Sequence, residues 1–144
     1  MKNKRKLNMI KYNKSVLARL NIRKKHFENY ISLKEFNNKY NTDIEDIDIE
    51  ELNLSGKIIG NEGLKVLVKI KFKELKKLDL SYNKISDISI LEKVDYKKLN
   101  KLDLSFNKIS DINILEKVDF KELKELYLSY NQISYINILG KDKF

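Results

Sequence analysis

From Leu75 onward the apolar positions of this chain repeat at one fixed spacing. The string L-x-x-L-x-L-x-x-N-x-I is filled by Leu75, Leu78, Leu80, Asn83 and Ile85, and again by Leu99, Leu102, Leu104, Asn107 and Ile109. Leu123, Leu126, Leu128, Asn131 and Ile133 fill it a third time. The period is 24 residues, and residues 75–98 and 99–122 agree at 19 of those 24 positions. The alternation Leu78-Asp79-Leu80 predicts a short strand with two leucines on one face. A lone copy could not bury that face, so the copies are expected to stack as a parallel sheet over a shared leucine core. Ile85, Ile88, Leu91 and Val94 then recur every three residues, which predicts a short helix or 3₁₀ segment packing back on the sheet. Ser89 with Glu92, and Asn113 with Glu116, have capping-box spacing, so a helix is expected near residues 90–98 and at its counterpart one period later.

A divergent copy precedes these three. Ile49, Leu52 and Leu54 fit the first leucine positions, and the next copy follows after 26 residues. Its turn reads SGKIIGNEGLKVL, with Gly60 and Gly63 expected to serve the tight turn and helix entry. Further upstream, Ser32 and Glu35 form a capping box, and Leu33, Phe36 and Tyr40 share a helical face, so residues 33–40 are expected to form a short helix over the first strand. Val16, Leu17, Leu20, Phe27, Tyr30 and Ile31 suit a second helix, broken around Asn21-Ile22. The chain thus divides into a basic N-terminal arm (1–30), partly helical or disordered, a capping helix with an acidic connector (31–46), and a repeat domain (47–144). The repeats span approximately 49–74, 75–98, 99–122 and 123–144. The last copy departs from the pattern at Gly140 and Asp142 and has no evident cap. An open strand edge beyond Leu126–Ser129 invites self-association with another chain.

Three tandem copies that keep every skeleton position resemble the leucine-rich-repeat family. The 24-residue copies are most similar to the internalin and phosphatase-regulator subtypes, and the IGNEGL turn resembles the ribonuclease-inhibitor type. The resemblance covers about residues 47–144. It implies an α/β solenoid, a short right-handed array with parallel strands on a concave face and short helices or 3₁₀ turns on a convex face, preceded by a helical N-terminal segment. It also implies that Asn83, Asn107 and Asn131 form an interior ladder satisfying backbone groups of neighbouring turns. The ladder is expected to begin at Asn83, because Lys57 or an immediate neighbour holds the asparagine position of the divergent copy. The functional implication is non-catalytic binding of a protein partner through the concave surface.

Reading down the stack gives that surface in columns: Glu51, Lys77, Lys101, Glu125; then Asn53, Asp79, Asp103, Tyr127; then Ser55, Ser81, Ser105, Ser129. Gly56, Tyr82, Phe106 and Tyr130 follow just beyond the strands. The three aromatics are the sharpest binding candidates, since such side chains give large contact area at small entropy cost; the plainer reading is that they stack on one another and shield the sheet. Asp79 and Asp103 sit one strand apart, but Lys77 and Lys101 flank them and no nucleophile–base pair or metal-ligand spacing accompanies them. No enzyme activity, cofactor or small-molecule substrate is therefore expected.

Composition narrows the classes further. The absence of cysteine excludes disulfides and thiolate metal sites. One histidine, His26, cannot build a metal site, and the acidic stretch from Asp43 to Glu51 lacks the glycine a calcium loop requires. No run of 18 apolar residues occurs and no secretory pattern opens the sequence, so a cytoplasmic location is expected. The net charge is +9, and residues 1–30 carry all of it, with ten basic side chains against Glu28. Lys4, Arg5, Lys6, Arg23, Lys24 and Lys25 are accordingly candidates for binding nucleic acid or an anionic membrane, with the repeats as scaffold. A solvated lysine-rich terminus competes with that reading, because the chain holds 27 Lys to 3 Arg.

Overall fold

The computed structural model describes residues 24–134. Within them the order is α1 (Lys24–Tyr40), β1 (Glu51–Asn53), α2 (Gly60–Leu67), β2 (Lys77–Asp79), a 3₁₀ turn (Ser89–Lys93), β3 (Lys101–Asp103), a second 3₁₀ turn (Asn113–Glu116) and β4 (Glu125–Tyr127). The four strands form one open parallel sheet in sequence order. Each strand has only three residues, far too few to stand alone. Their stability comes from the stack: Leu52, Leu78 and Leu102 pair in register and are buried, and Leu54, Leu80 and Leu104 bury a second row behind them. This is an α/β solenoid, with helices and 3₁₀ turns on the return path of each repeat.

The return paths differ with repeat length. The 26-residue repeat accommodates α2, eight residues of α-helix whose Leu64 and Leu67 are fully buried. The 24-residue repeats hold 3₁₀ turns of five and four residues, each burying one leucine, Leu91 and Leu115. The helix expected near 90–98 is thus shorter and ends at Lys93. The residues that cap the two turns are Ile88 and Ile112, and neither makes a side-chain cap. Instead Asp87 accepts the Ser89 N–H at 2.8 Å, and Asp111 accepts the Asn113 N–H at 2.8 Å. An aspartate two residues upstream reaches that amide from its own turn and so takes the N–H to which the glutamate of a capping box would reach back. The hydroxyl and amide of Ser89 hold the Asp87 carboxyl below its ordinary value.

The N-terminal end is covered by α1, one helix from Lys24 to Tyr40 that joins the expected 33–40 helix to the Phe27, Tyr30 and Ile31 part of the second expected helix and crosses the expected boundary between arm and cap at residue 30. Its extra turns are anchored by Asn29, which is buried: its Oδ1 accepts the Lys71 N–H at 2.6 Å, and its Nδ2 donates to the Lys71 carbonyl at 3.4 Å. Leu33 and Phe36 bury against the core, and Tyr40 packs on Phe36 at 4.8 Å between ring centroids. Gly63 proves to be a contact residue within α2 rather than a turn residue: a Cβ there would lie 2.9 Å from the Tyr40 ring. Gly60 does serve the turn, with φ of 55°. The connector is irregular. Asn37 organises it, its Oδ1 accepting from the Thr42 hydroxyl and the Ile44 amide and its Nδ2 donating to the Ile44 carbonyl. The break expected at Asn21-Ile22, and the substitutions at Gly140 and Asp142, lie outside the described residues.

Candidate functional site

The asparagines occupy the turn that follows each strand, where the chain bends inward and backbone groups face away from water. Asn83 is fully buried; its Nδ2 donates to the Leu54 and Ser81 carbonyls at 2.8 and 2.9 Å, while its Oδ1 accepts the Ile59 N–H at 3.2 Å. Asn107 repeats the arrangement one turn on, donating to Leu80 and Leu104 at 2.9 Å and accepting from the amides of Asn83 and Ile85. Asn131 donates to Leu104 and Leu128 and accepts from Ile109, but is half-buried. Every amide thus joins its own turn to the preceding one, which is the role a buried polar side chain must fill to be tolerated. In the divergent copy Lys57 is exposed, and its Nζ donates to the Asn41 carbonyl at 3.3 Å.

The outward strand residues align as registers of the sheet: Glu51–Lys77–Lys101–Glu125 in one row and Asn53–Asp79–Asp103–Tyr127 in the next. In the first row the lysines pair outward along the row, Lys77 with Glu51 at 2.7 Å and Lys101 with Glu125 at 2.9 Å. The Lys101 bond, joined by one from the Tyr127 hydroxyl, holds the Glu125 carboxyl below the usual carboxylate range and raises Lys101 in turn. The Lys101 ammonium also lies 4.7 Å from the Tyr127 ring centroid.

The second row has a different task from the one its flanking lysines suggested. Asp79 accepts the Ser81 amide at 2.9 Å and the Ser81 hydroxyl at 2.7 Å, and Asp103 accepts the Ser105 amide at 2.8 Å. Asn53 does the same for Ser55 at 2.9 Å. The carboxylates are turn-forming groups that start the bend after each strand. Nor does the serine column present a surface: Ser81 and Ser105 are buried, and only Ser129 is exposed. The D-x-S spacing was the sequence signal for this turn, and it passed unread beside the more conspicuous charge pattern.

Just past the strands the rings of Tyr82, Phe106 and Tyr130 form a continuous stack. Successive centroids are 4.2 Å apart with interplanar angles of 10° and 12°. All three residues are in the left-handed region, with φ of 56°, 54° and 56°, a conformation costing about 1–2 kcal/mol for a residue with a Cβ. They remain well exposed at 53%, 38% and 75%, and Tyr127 on the neighbouring row is 41% exposed. Among the described residues six large apolar side chains are exposed, and these four belong to one continuous part of the sheet. Of the basic candidates, Lys4, Arg5, Lys6 and Arg23 lie outside the described residues, while Lys24 and Lys25 stand in the first turn of α1. No cluster of metal-ligating side chains occurs among the described residues, and no helix there is long and apolar enough to cross a membrane.

The repeat is recognisable in other proteins. A family model described as "Leucine Rich repeats (2 copies)" matches residues 73–117 and again 97–141. The crystal structure of an internalin (inlF) from Listeria monocytogenes is 35% identical in the aligned part, which covers 52% of this chain and 20% of that chain, with a TM-score of 0.43. The chain therefore aligns with about a fifth of that protein's length. No curated protein sequence matches. The family match falls on the residues that make β2 to β4, the buried leucine rows and the asparagine ladder, and on this ground residues 73–141 are leucine-rich repeats.

Proposed function

We propose that this chain is a non-catalytic protein-interaction module that binds a protein partner on the outer face of its parallel sheet. One observation carries the reading: among the described residues four of the six exposed large apolar side chains, Tyr82, Phe106, Tyr127 and Tyr130, gather on one side of a sheet whose remaining outward strand positions, Asn53 apart, are charged. Scattered apolar residues need no explanation, but a rimmed cluster of aromatics has the composition of an interface core. Lys77, Lys101 and Glu125 form the polar rim, and Asp79 and Asp103 hold the turns that present the rings. That commitment of both aspartates supports a binding role over an acid–base one. A cytoplasmic setting belongs to the same proposal, resting on the absence of cysteine.

The second reading is binding of nucleic acid or an anionic surface by residues 1–30, supported by their charge of +9. Deleting residues 1–30 would not test it cleanly, because Asn29 anchors α1 to Lys71. The experiment uses immobilised protein to capture partners, alongside a Tyr82/Phe106/Tyr130→Ala variant and a variant with Lys4, Arg5, Lys6, Arg23, Lys24 and Lys25 changed to Gln. A protein partner lost with the folded alanine variant and retained by the glutamine variant is the expected result. Capture that needs the basic residues and collapses with nuclease or high salt would overturn the proposal in favour of the second reading.

A further inference from the structure

The aromatic stack has a vacant rung. Gly56 occupies the position of Tyr82, Phe106 and Tyr130 in the divergent copy, and its backbone matches theirs, with φ of 69°. Its N–H donates to the Ser81 carbonyl at 3.0 Å, just as Tyr82 donates to Ser105 at 3.1 Å and Phe106 to Ser129 at 2.8 Å. A ring attached at Gly56 would therefore enter the stack in register. Instead the direction of its missing Cβ is open, with no heavy atom of the described residues, its chain neighbours aside, within 4 Å. Phe106, with a ring on both sides, is 38% exposed, whereas Tyr82, with one, is 53% exposed. Among the described residues no second ring and no cation lies over Tyr82.

We propose that a protein partner supplies this rung: an aromatic side chain of the partner lies flat over Gly56 and stacks on the face of Tyr82 turned away from Phe106. This deepens the interaction-module reading and rests on it. The rungs already present set the chemistry of the occupant, since a spacing of 4.2 Å between near-parallel rings admits a flat group and gains nothing from a branched aliphatic one. Charge selects a protein over a nucleobase. An open groove along β1 that reaches Lys57, the residue after Gly56, is lined by Asp43, Glu45, Asp46 and Glu51 against Lys57, with Lys77 paired to Glu51 at its edge. Carboxylates there repel the phosphate a nucleotide would bring and favour an aromatic residue flanked by lysine or arginine.

The test titrates the isotope-labelled full chain with the blocked peptide Lys-Trp-Lys, with Lys-Leu-Lys as control, and with adenosine monophosphate, following backbone amides by NMR. The Trp peptide is expected to shift the Gly56 and Tyr82 amides saturably, with the Leu peptide about tenfold weaker. Gly56→Tyr, which fills the rung with an aromatic residue such as the next three copies hold at this backbone angle, is expected to abolish those shifts. Tyr82→Leu, which keeps apolar bulk and removes the stacking face, serves the same purpose should the first variant fold poorly. Equal shifts from the Leu peptide, shifts centred on Tyr130 instead, or stronger binding of adenosine monophosphate would each overturn the inference. The parent reading is separable. A captured protein lost with the triple alanine variant but retained by Gly56→Tyr would leave the interaction surface standing and remove the rung.

Discussion

The residue that best exposes the logic of the turn is Asn83, because it satisfies two carbonyls and one amide that no water reaches. Asn83→Ala leaves those groups unpaired in the interior, and at 1–3 kcal/mol for each buried orphan the loss should be about 3 kcal/mol or more. Asn131 makes comparable bonds in a half-buried turn where water can replace them, so Asn131→Ala should cost about 1 kcal/mol. Urea denaturation of both variants checks the contrast, and equal losses would contradict the burial argument. The stacked rings supply a second test. Phe106 holds φ of 54° while stacking on both neighbours. Phe106→Ala and Phe106→Gly lose the same ring contacts, but only glycine relieves the left-handed strain. The glycine variant should therefore be the more stable of the two by about 1 kcal/mol, the reverse of their usual order in regular structure.

Between elements, the tightest junction is α1 against α2, where Gly63 lets the Tyr40 ring approach. A methyl group there meets the Ile59 Cβ at 2.5 Å and the Tyr40 ring at 2.9 Å, so Gly63→Ala should displace both the turn entering α2 and α1 and destabilise the fold by about 1–3 kcal/mol. Thermal unfolding measures this, and an unchanged midpoint would show that Ile59 and α1 both yield freely. The same junction explains what could and could not be read from the sequence. The strands were legible because alternating leucines at a fixed period have one way to bury themselves, and the register followed from that period. The fusion of the two expected N-terminal helices into α1 was not, since what holds its first half in place is Asn29 bonding to Lys71, 42 residues away, and no local pattern encodes a polar contact of that range. The turn caps were misassigned for a related reason. Asp87 and Ser89 both suit a helix start, and their competition is decided by backbone geometry that spacing alone does not reveal. Among the surface residues the serines misled most, because outward alternation ends with the strand and Ser81 and Ser105 lie one step beyond it, inside the bend.

At the scale of the whole molecule, a solenoid holds each repeat by its neighbours alone, so stability depends on how many neighbours a repeat has. Leu78, Leu80, Leu102 and Leu104 are buried between flanking turns, whereas Leu126 and Leu128 in the last described strand are half-buried. The ladder shows the same decline, from Asn83 at 0% exposure through Asn107 at 7% to a half-buried Asn131. At the other end the sheet does not thin in this way, because α1 places Leu33 and Phe36 against the first repeat. Unfolding should then begin at β4 and travel toward β1, with native-state hydrogen exchange reporting it directly. Just past β2 and β3, the amides of Leu80, donated to Asp103, and of Leu104, donated to Tyr127, should exchange at different rates, Leu104 faster because opening β4 alone releases it. If both amides exchange at one rate and respond together to mild denaturant, the array opens as a single cooperative unit and the nearest-neighbour account of its stability fails. If Leu104 leads, the aromatic stack also loosens from its Tyr130 end, and the Tyr82 face above Gly56 is the part of the binding surface held by the most stable repeats.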